Sequence, residues 1–169
     1  MVRWSRARAS EMRWSHAKAC ALALICGLVA CAIGATIATA QDVAGDSPGG
    51  VLRPDLAWQH WVLNCQGCHR VDGTGSTETA PALAGMVAKF TNVAGGREYL
   101  GRVPGVATAP LSDADLAELL NWMLWRFDRD NLSANFRPYT AEEVRALRQR
   151  PLRTEAARVR ASLVAQMHR

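Results

Sequence analysis

The pentapeptide Cys65-Gln66-Gly67-Cys68-His69 constrains this chain more than any other part of it. Two thiols three positions apart, followed at once by an imidazole, form the C-x-x-C-H pattern through which a c-type haem is attached. The thiols add across the two vinyl groups of the porphyrin. The histidine is then placed to bind the iron as its proximal axial ligand. A C-x-x-C pair also serves as a thioredoxin-type redox pair or as half of a zinc site. The first would want a βαβ context and the second another ligand pair, and the sequence offers neither. The motif therefore implies one covalent haem c per chain, held by Cys65 and Cys68 and ligated by His69.

The N-terminus agrees with an exported protein. Arg13 and Lys18 precede an uncharged apolar run from Ala19 to Ala38, and Ala38-Thr39-Ala40 forms a small-x-small cleavage site. Residues 1–40 read as a signal peptide that leaves Gln41 as the first residue, with a periplasmic destination. Two alternatives put the chain at a membrane. The apolar run is just long enough to stay uncleaved as an anchor, and Leu28-Val29-Ala30-Cys31 resembles a lipoprotein box that would leave Cys31 lipidated. Cys20, Cys26 and Cys31 fall inside the signal, so the mature chain keeps only the two haem-binding thiols and has no disulfide to form.

Removing the signal also changes the charge. The whole chain has a formal net charge of +5, but residues 41–136 hold 7 basic and 11 acidic side chains, whereas residues 137–169 hold 8 and 3. A mildly acidic body with a basic tail gives no support to nucleic-acid binding.

Residues 41–52 are polar and rich in Gly, Asp and Ser, which reads as a flexible lead-in. From Pro54, a good first helical residue, Leu56, Trp58, Trp61, Val62 and Cys65 mostly follow helical spacing. Arg70 to Pro81 reads as a loop, with Gly73 and Gly75 supplying turns. Short turns or helices are expected from Pro81 and from Gly95. Ser112-Asp113-Ala114-Asp115 resembles a capping box, and Leu116, Leu119, Leu120, Met123 and Leu124 predict a helix over 113–126. No segment alternates as a strand, so the fold class is all-α.

In this order the elements resemble a class I cytochrome c domain spanning residues 53–127. They are a helix leading into CQGCH, the loop Gly73-Thr74-Gly75, Pro81-x-Leu83-x-Gly85, and the last helix LSDADLAELLNWML. The resemblance implies three to five short helices around a covalent haem. Its first and last helices would cross, bringing Trp61 and Val62 towards Leu119 and Trp122. Pro81 would accept a hydrogen bond from the proximal imidazole through its carbonyl. It further implies a monohaem carrier of single electrons between a periplasmic dehydrogenase or membrane redox complex and an acceptor. No side chain need then act as acid, base or nucleophile, so the chain is not read as an enzyme.

One expected part is missing. Such domains carry a Met before the last helix that reaches the distal face of the iron, yet residues 102–110 contain no Met, His, Lys or Cys. Met86 and Met123 are weak candidates for the sixth ligand. Both are better read as core, as is His60 as surface or edge packing, and Met167 and His168 lie far off in the tail. An open distal position binding a diatomic ligand or peroxide is the alternative, with Arg97 and Arg102 as candidate distal arginines.

Residues 128–169 form a C-terminal extension. Phe127 to Asn135 should end the last helix, Phe136 and Tyr139 look like an anchor, Thr140-Ala141-Glu142-Glu143 caps a helix through about Arg150, and helical periodicity resumes from Thr154 to Met167. The extension reads as surface helices covering the domain. Its charge also suits docking on an acidic redox protein or anionic lipid, or assembly as the fixed haem subunit of a larger oxidoreductase.

Overall fold

The computed structural model describes residues 49–76 and 80–169. The expected signal peptide, the lipidation site at Cys31 and most of the lead-in lie outside the described residues. Seven α-helices occur among those described: α1 (Pro54–Asn64), α2 (Gln66–His69), α3 (Gly96–Arg102), α4 (Pro104–Ala107), α5 (Asp113–Asp128), α6 (Ala141–Arg148) and α7 (Ala156–Met167). Two 3₁₀ turns, Ala88–Asn92 and Arg129–Asn131, complete the set. The isolated antiparallel bridge between Ser76 and Ala80 is the nearest approach to a strand among the described residues, so the fold is all-α.

The first and last helices of the haem-domain region cross as the apolar pattern requires. Pro54 starts α1, and Ala57 and Trp61, one turn apart, are buried against α5. Trp61 has no exposed surface, with its ring centroid 4.6 Å from Phe127 and 6.2 Å from Trp122. Val62 does not join this contact. It is 38 % exposed, because it lies one position round the helix from Trp61.

Ser112 caps α5 as expected: its Oγ accepts from the Asp115 amide at 3.1 Å and donates to the Asp115 carboxylate at 2.6 Å. The helix runs to Asp128, two residues beyond its apolar pattern. The Asp128 side chain accounts for the extra length, since it is buried and accepts from the Ala88 amide at 2.8 Å and from Asn131. That carboxylate thus caps the 3₁₀ turn that follows the Leu83–Gly85 segment.

The C-terminal helices share one core with the rest. Tyr139, Val144, Leu147, Leu152 and Leu163 are all buried in it. Thr140 caps α6 by accepting from the Glu143 amide. Asn121 on α5 is buried beneath the extension, where its Oδ1 accepts from the Tyr139 amide at 2.7 Å and its Nδ2 donates to the Tyr139 carbonyl at 3.1 Å. Both halves of a buried amide are thereby satisfied, which fixes where the chain crosses. Helix α6 approaches α3 so closely that a Cβ on Gly101 would meet Leu147 at 2.5 Å. Helix α7 packs on the 88–92 turn and on α3.

Candidate haem site

The motif lies at the end of α1 and in α2. The Cys65 amide closes α1 on the Trp61 carbonyl at 2.9 Å, and the His69 amide bonds the Cys65 carbonyl at 3.0 Å. One helical turn therefore holds both cysteines and the histidine. All three line a cavity of about 1190 Å³. This exceeds the ~300–1,000 Å³ typical of small-molecule sites, so it has room for a large, flat group.

His69 is held by the loop that carries Pro81. Its Nδ1 lies 3.1 Å from the Pro81 carbonyl oxygen. A carbonyl can only accept, so Nδ1 carries the proton and Nε2 keeps its lone pair, as a metal ligand requires. Burial holds the imidazole below its usual pKa, with the Pro81 bond opposing, which favours the neutral ring. Burial, with a smaller contribution from Cys68, pushes the Cys65 thiol up to about 11.

The loop that places Pro81 depends on a tight backbone. The Gly75 amide donates to the His69 carbonyl at 2.9 Å, and the Leu83 and Ala84 amides converge on the Gly73 carbonyl at 2.8 and 3.1 Å. Leu83, Val87, Phe90, Leu100, Leu116, Leu119, Leu120 and Met123 give the cavity an apolar lining. Apolar walls, two thiols on one turn and an imidazole of fixed tautomer fit a covalently attached haem in every respect the donor set can supply. Cys65, Cys68 and His69 would hold the group, and Pro81 would orient the histidine.

The sixth-ligand candidates separate. Met123 lines the cavity, whereas Met86 is half-buried against the core and is not among the lining residues. His60 lies near Asp115, its Nε2 4.0 Å from Oδ1. The segment without a ligating side chain contributes Val103, Pro104, Gly105, Val106 and Ala109 to the wall.

The two arginines considered for the distal side are engaged elsewhere. Arg97 makes a two-point ion pair with Glu143 at 2.6 and 2.7 Å, donates to the Arg137 and Pro138 carbonyls, and stacks over the Tyr139 ring. Arg102 donates to the Arg150 carbonyl at 2.7 Å. Neither is among the lining residues.

Sequence reasoning missed the contribution of the tail. Ala156, Ala157 and Arg160 of α7 are part of the cavity wall. Arg148 of α6 holds the 107–113 segment, donating to the Ala107, Ala109 and Leu111 carbonyls at 3.1, 2.6 and 2.8 Å and pairing with Asp113 at 3.0 Å. A signal was present in the number of arginines in the tail, but charge counts do not show which ones turn inward.

Comparison with known proteins gives a consistent set of relatives. Residues 55–126 match the family model for cytochrome c. The chain is similar to a cytochrome c-552 of Thermus thermophilus, 35 % identical over 122 residues that cover 62 % of this chain and 82 % of the relative. A second cytochrome c-552 from Thermus thermophilus is 35 % identical over 106 residues, covering 52 % of this chain and 81 % of that protein.

Proposed function

Because this chain belongs to the cytochrome c family, we propose that it is an exported monohaem carrier, moving single electrons from a periplasmic dehydrogenase or membrane redox complex to an acceptor. Its cofactor is haem c, covalently attached, which when bound supplies a one-electron ferric/ferrous couple. Cys65 and Cys68 tether the ring through thioethers, and His69 binds the iron through Nε2. The observation that carries this assignment is the His69–Pro81 hydrogen bond at the wall of a cavity that also receives both thiols. The chain keeps the imidazole neutral and oriented and surrounds the ring with apolar side chains. That surrounding excludes water and limits the rearrangement accompanying each electron transfer.

A specific observation favours a second reading of the distal side. The 103–109 segment offers no ligating side chain and is fastened by Arg148. Apart from the attachment motif, Met123 supplies the thioether and Tyr99 the phenol among the described lining residues. An open or weakly ligated iron would take up a diatomic ligand.

Absorption spectra of the haem-loaded protein, ferric and ferrous, with and without carbon monoxide, test both readings. A low-spin ferrous spectrum indifferent to carbon monoxide is the result expected of a six-coordinate carrier, and Met123→Ala should then open the site. A high-spin ferric spectrum with rapid carbon monoxide uptake would put ligand binding first. The mass of the mature protein distinguishes cleavage after Ala40 from a retained signal or a lipidated Cys31.

A further inference from the structure

We propose that Arg160, brought into the cavity wall by the C-terminal helix α7, is the receptor for a propionate carboxylate of the haem. The inference rests on the reading of the cavity as the haem site. A haem carries its two propionates on the edge opposite its vinyl groups. With the vinyls joined to Cys65 and Cys68, the carboxylates must be met by residues remote from the attachment motif. The arginines among the described lining residues are Arg70 and Arg160. Arg70 directly follows His69 and is exposed, on the attachment side of the site.

Arg160 has the other attributes a carboxylate receptor needs. It is half-buried, with its guanidinium carbon 5.8 Å from the centre of the Phe90 ring. It is also close enough to Tyr99 for its charge to act on that phenol, opposing the effect of burial. The phenol and guanidinium line the same cavity and would both donate to a carboxylate.

Arg160 is also left without a counter-charge where its neighbours on the extension have one. Arg97 pairs with Glu143, and Arg145 and Arg148 both pair with Asp113, but Arg160 has no carboxylate partner among the described residues. A propionate would supply the anion that this half-buried guanidinium lacks among the described residues. The basic extension thereby contributes to the cofactor site itself.

The test uses haem-loaded protein carrying ¹³C-labelled propionates, with Arg160→Gln and Arg160→Lys variants. Its readouts are the reduced-minus-oxidised infrared difference spectrum and the midpoint potential. Arg160→Gln should shift the ¹³C-sensitive carboxylate bands. It should also move the redox equilibrium roughly three- to tenfold towards the ferric form, because a nearby cation favours the less positive ferrous state. Arg160→Lys should retain most of the potential but alter the bands, since an ammonium cannot reproduce the two-point geometry.

Unchanged bands and potential in both variants would overturn the assignment and leave Arg160 as packing on Phe90. If Arg160→Gln fails to fold, the band comparison in Arg160→Lys decides alone. An Arg160-dependent shift in the wild-type potential on adding inorganic phosphate would also overturn it, by showing a site open to free anions. Wild-type protein whose mass shows no haem on the Cys65–Cys68 segment would be a failure of the haem reading, visible before any Arg160 variant is compared.

Discussion

At Gly75 the backbone takes a φ of +65°, and a Cβ placed there would lie 2.3 Å from the Ala80 carbonyl oxygen. The same residue donates its amide to the His69 carbonyl, so a turn that only glycine fits also ties the histidine to the loop carrying Pro81. Gly75→Ala should therefore cost about 1–3 kcal/mol through backbone strain and the displaced carbonyl. Thermal unfolding of the haem-loaded protein measures this, and a loss below ~0.5 kcal/mol would show that the loop relaxes freely. The sequence marked Gly75 as a turn residue because small residues cluster there, but the atoms it approaches were not legible. The same limit explains Arg97 and Arg102. Both precede the empty 103–109 segment and looked available to the distal side, whereas Glu143 and the carbonyls of residues 137, 138 and 150 draw them towards the extension. Those partners lie forty or more residues away, beyond what local pattern can connect.

Between elements, Arg148 fastens the segment that leads from the 103–109 part of the cavity wall into α5. Its side chain is 20 % exposed and leaves α6 to meet three carbonyls and the Asp113 carboxylate at the start of α5. Arg145 adds a second cation to Asp113, and the two together hold that carboxyl below its usual range. Segment 103–111 therefore owes its position to a neighbouring helix. Arg148→Ala should lose about 2–3 kcal/mol, because its charge-assisted bonds to the Ala107, Ala109 and Leu111 carbonyls and to Asp113 vanish together. Arg148→Lys keeps the charge opposite Asp113 but not the fork, and should recover less than half of that loss. Denaturant unfolding gives the energies, and hydrogen exchange at the 106–109 and 111–113 amides should quicken locally in both variants. Exchange unchanged in Arg148→Ala would mean that the segment holds itself. Helix starts such as Ser112 and Thr140 were readable from short-range chemistry, since each cap bonds an amide three residues on. The end of α5 at Asp128 was not, because its reason is the amide of Ala88, forty residues earlier.

For residues 49–169 as a whole, the extension decides whether the haem region stands alone. The sequence places a boundary at residue 128, where polarity rises and a family-like helix ends. The packing crosses that line at Tyr139, Val144, Leu147, Leu152 and Leu163, all buried in the same core as Trp61 and Leu119. Fully burying such side chains contributes roughly 1.5–3 kcal/mol each, on the order of 10 kcal/mol for the five. That is comparable with the whole stability of a small domain, about 5–15 kcal/mol. Truncation after Asn135 would also strip Asn121 of its Tyr139 partners and expose the face of α3 that receives Leu147. The truncated chain is therefore expected to fail as a stable haem-loaded protein, even though it keeps Cys65, Cys68, His69 and Pro81. Leu163→Ala provides the graded version, expected to lower stability by about 2–5 kcal/mol while leaving the haem spectrum in place. A soluble truncated protein with wild-type spectrum and unfolding midpoint would sink this argument and make the extension a detachable docking arm. Loss of stability in both variants would mean that the basic tail evolved as part of the fold, with any partner surface built on a face that already serves the core.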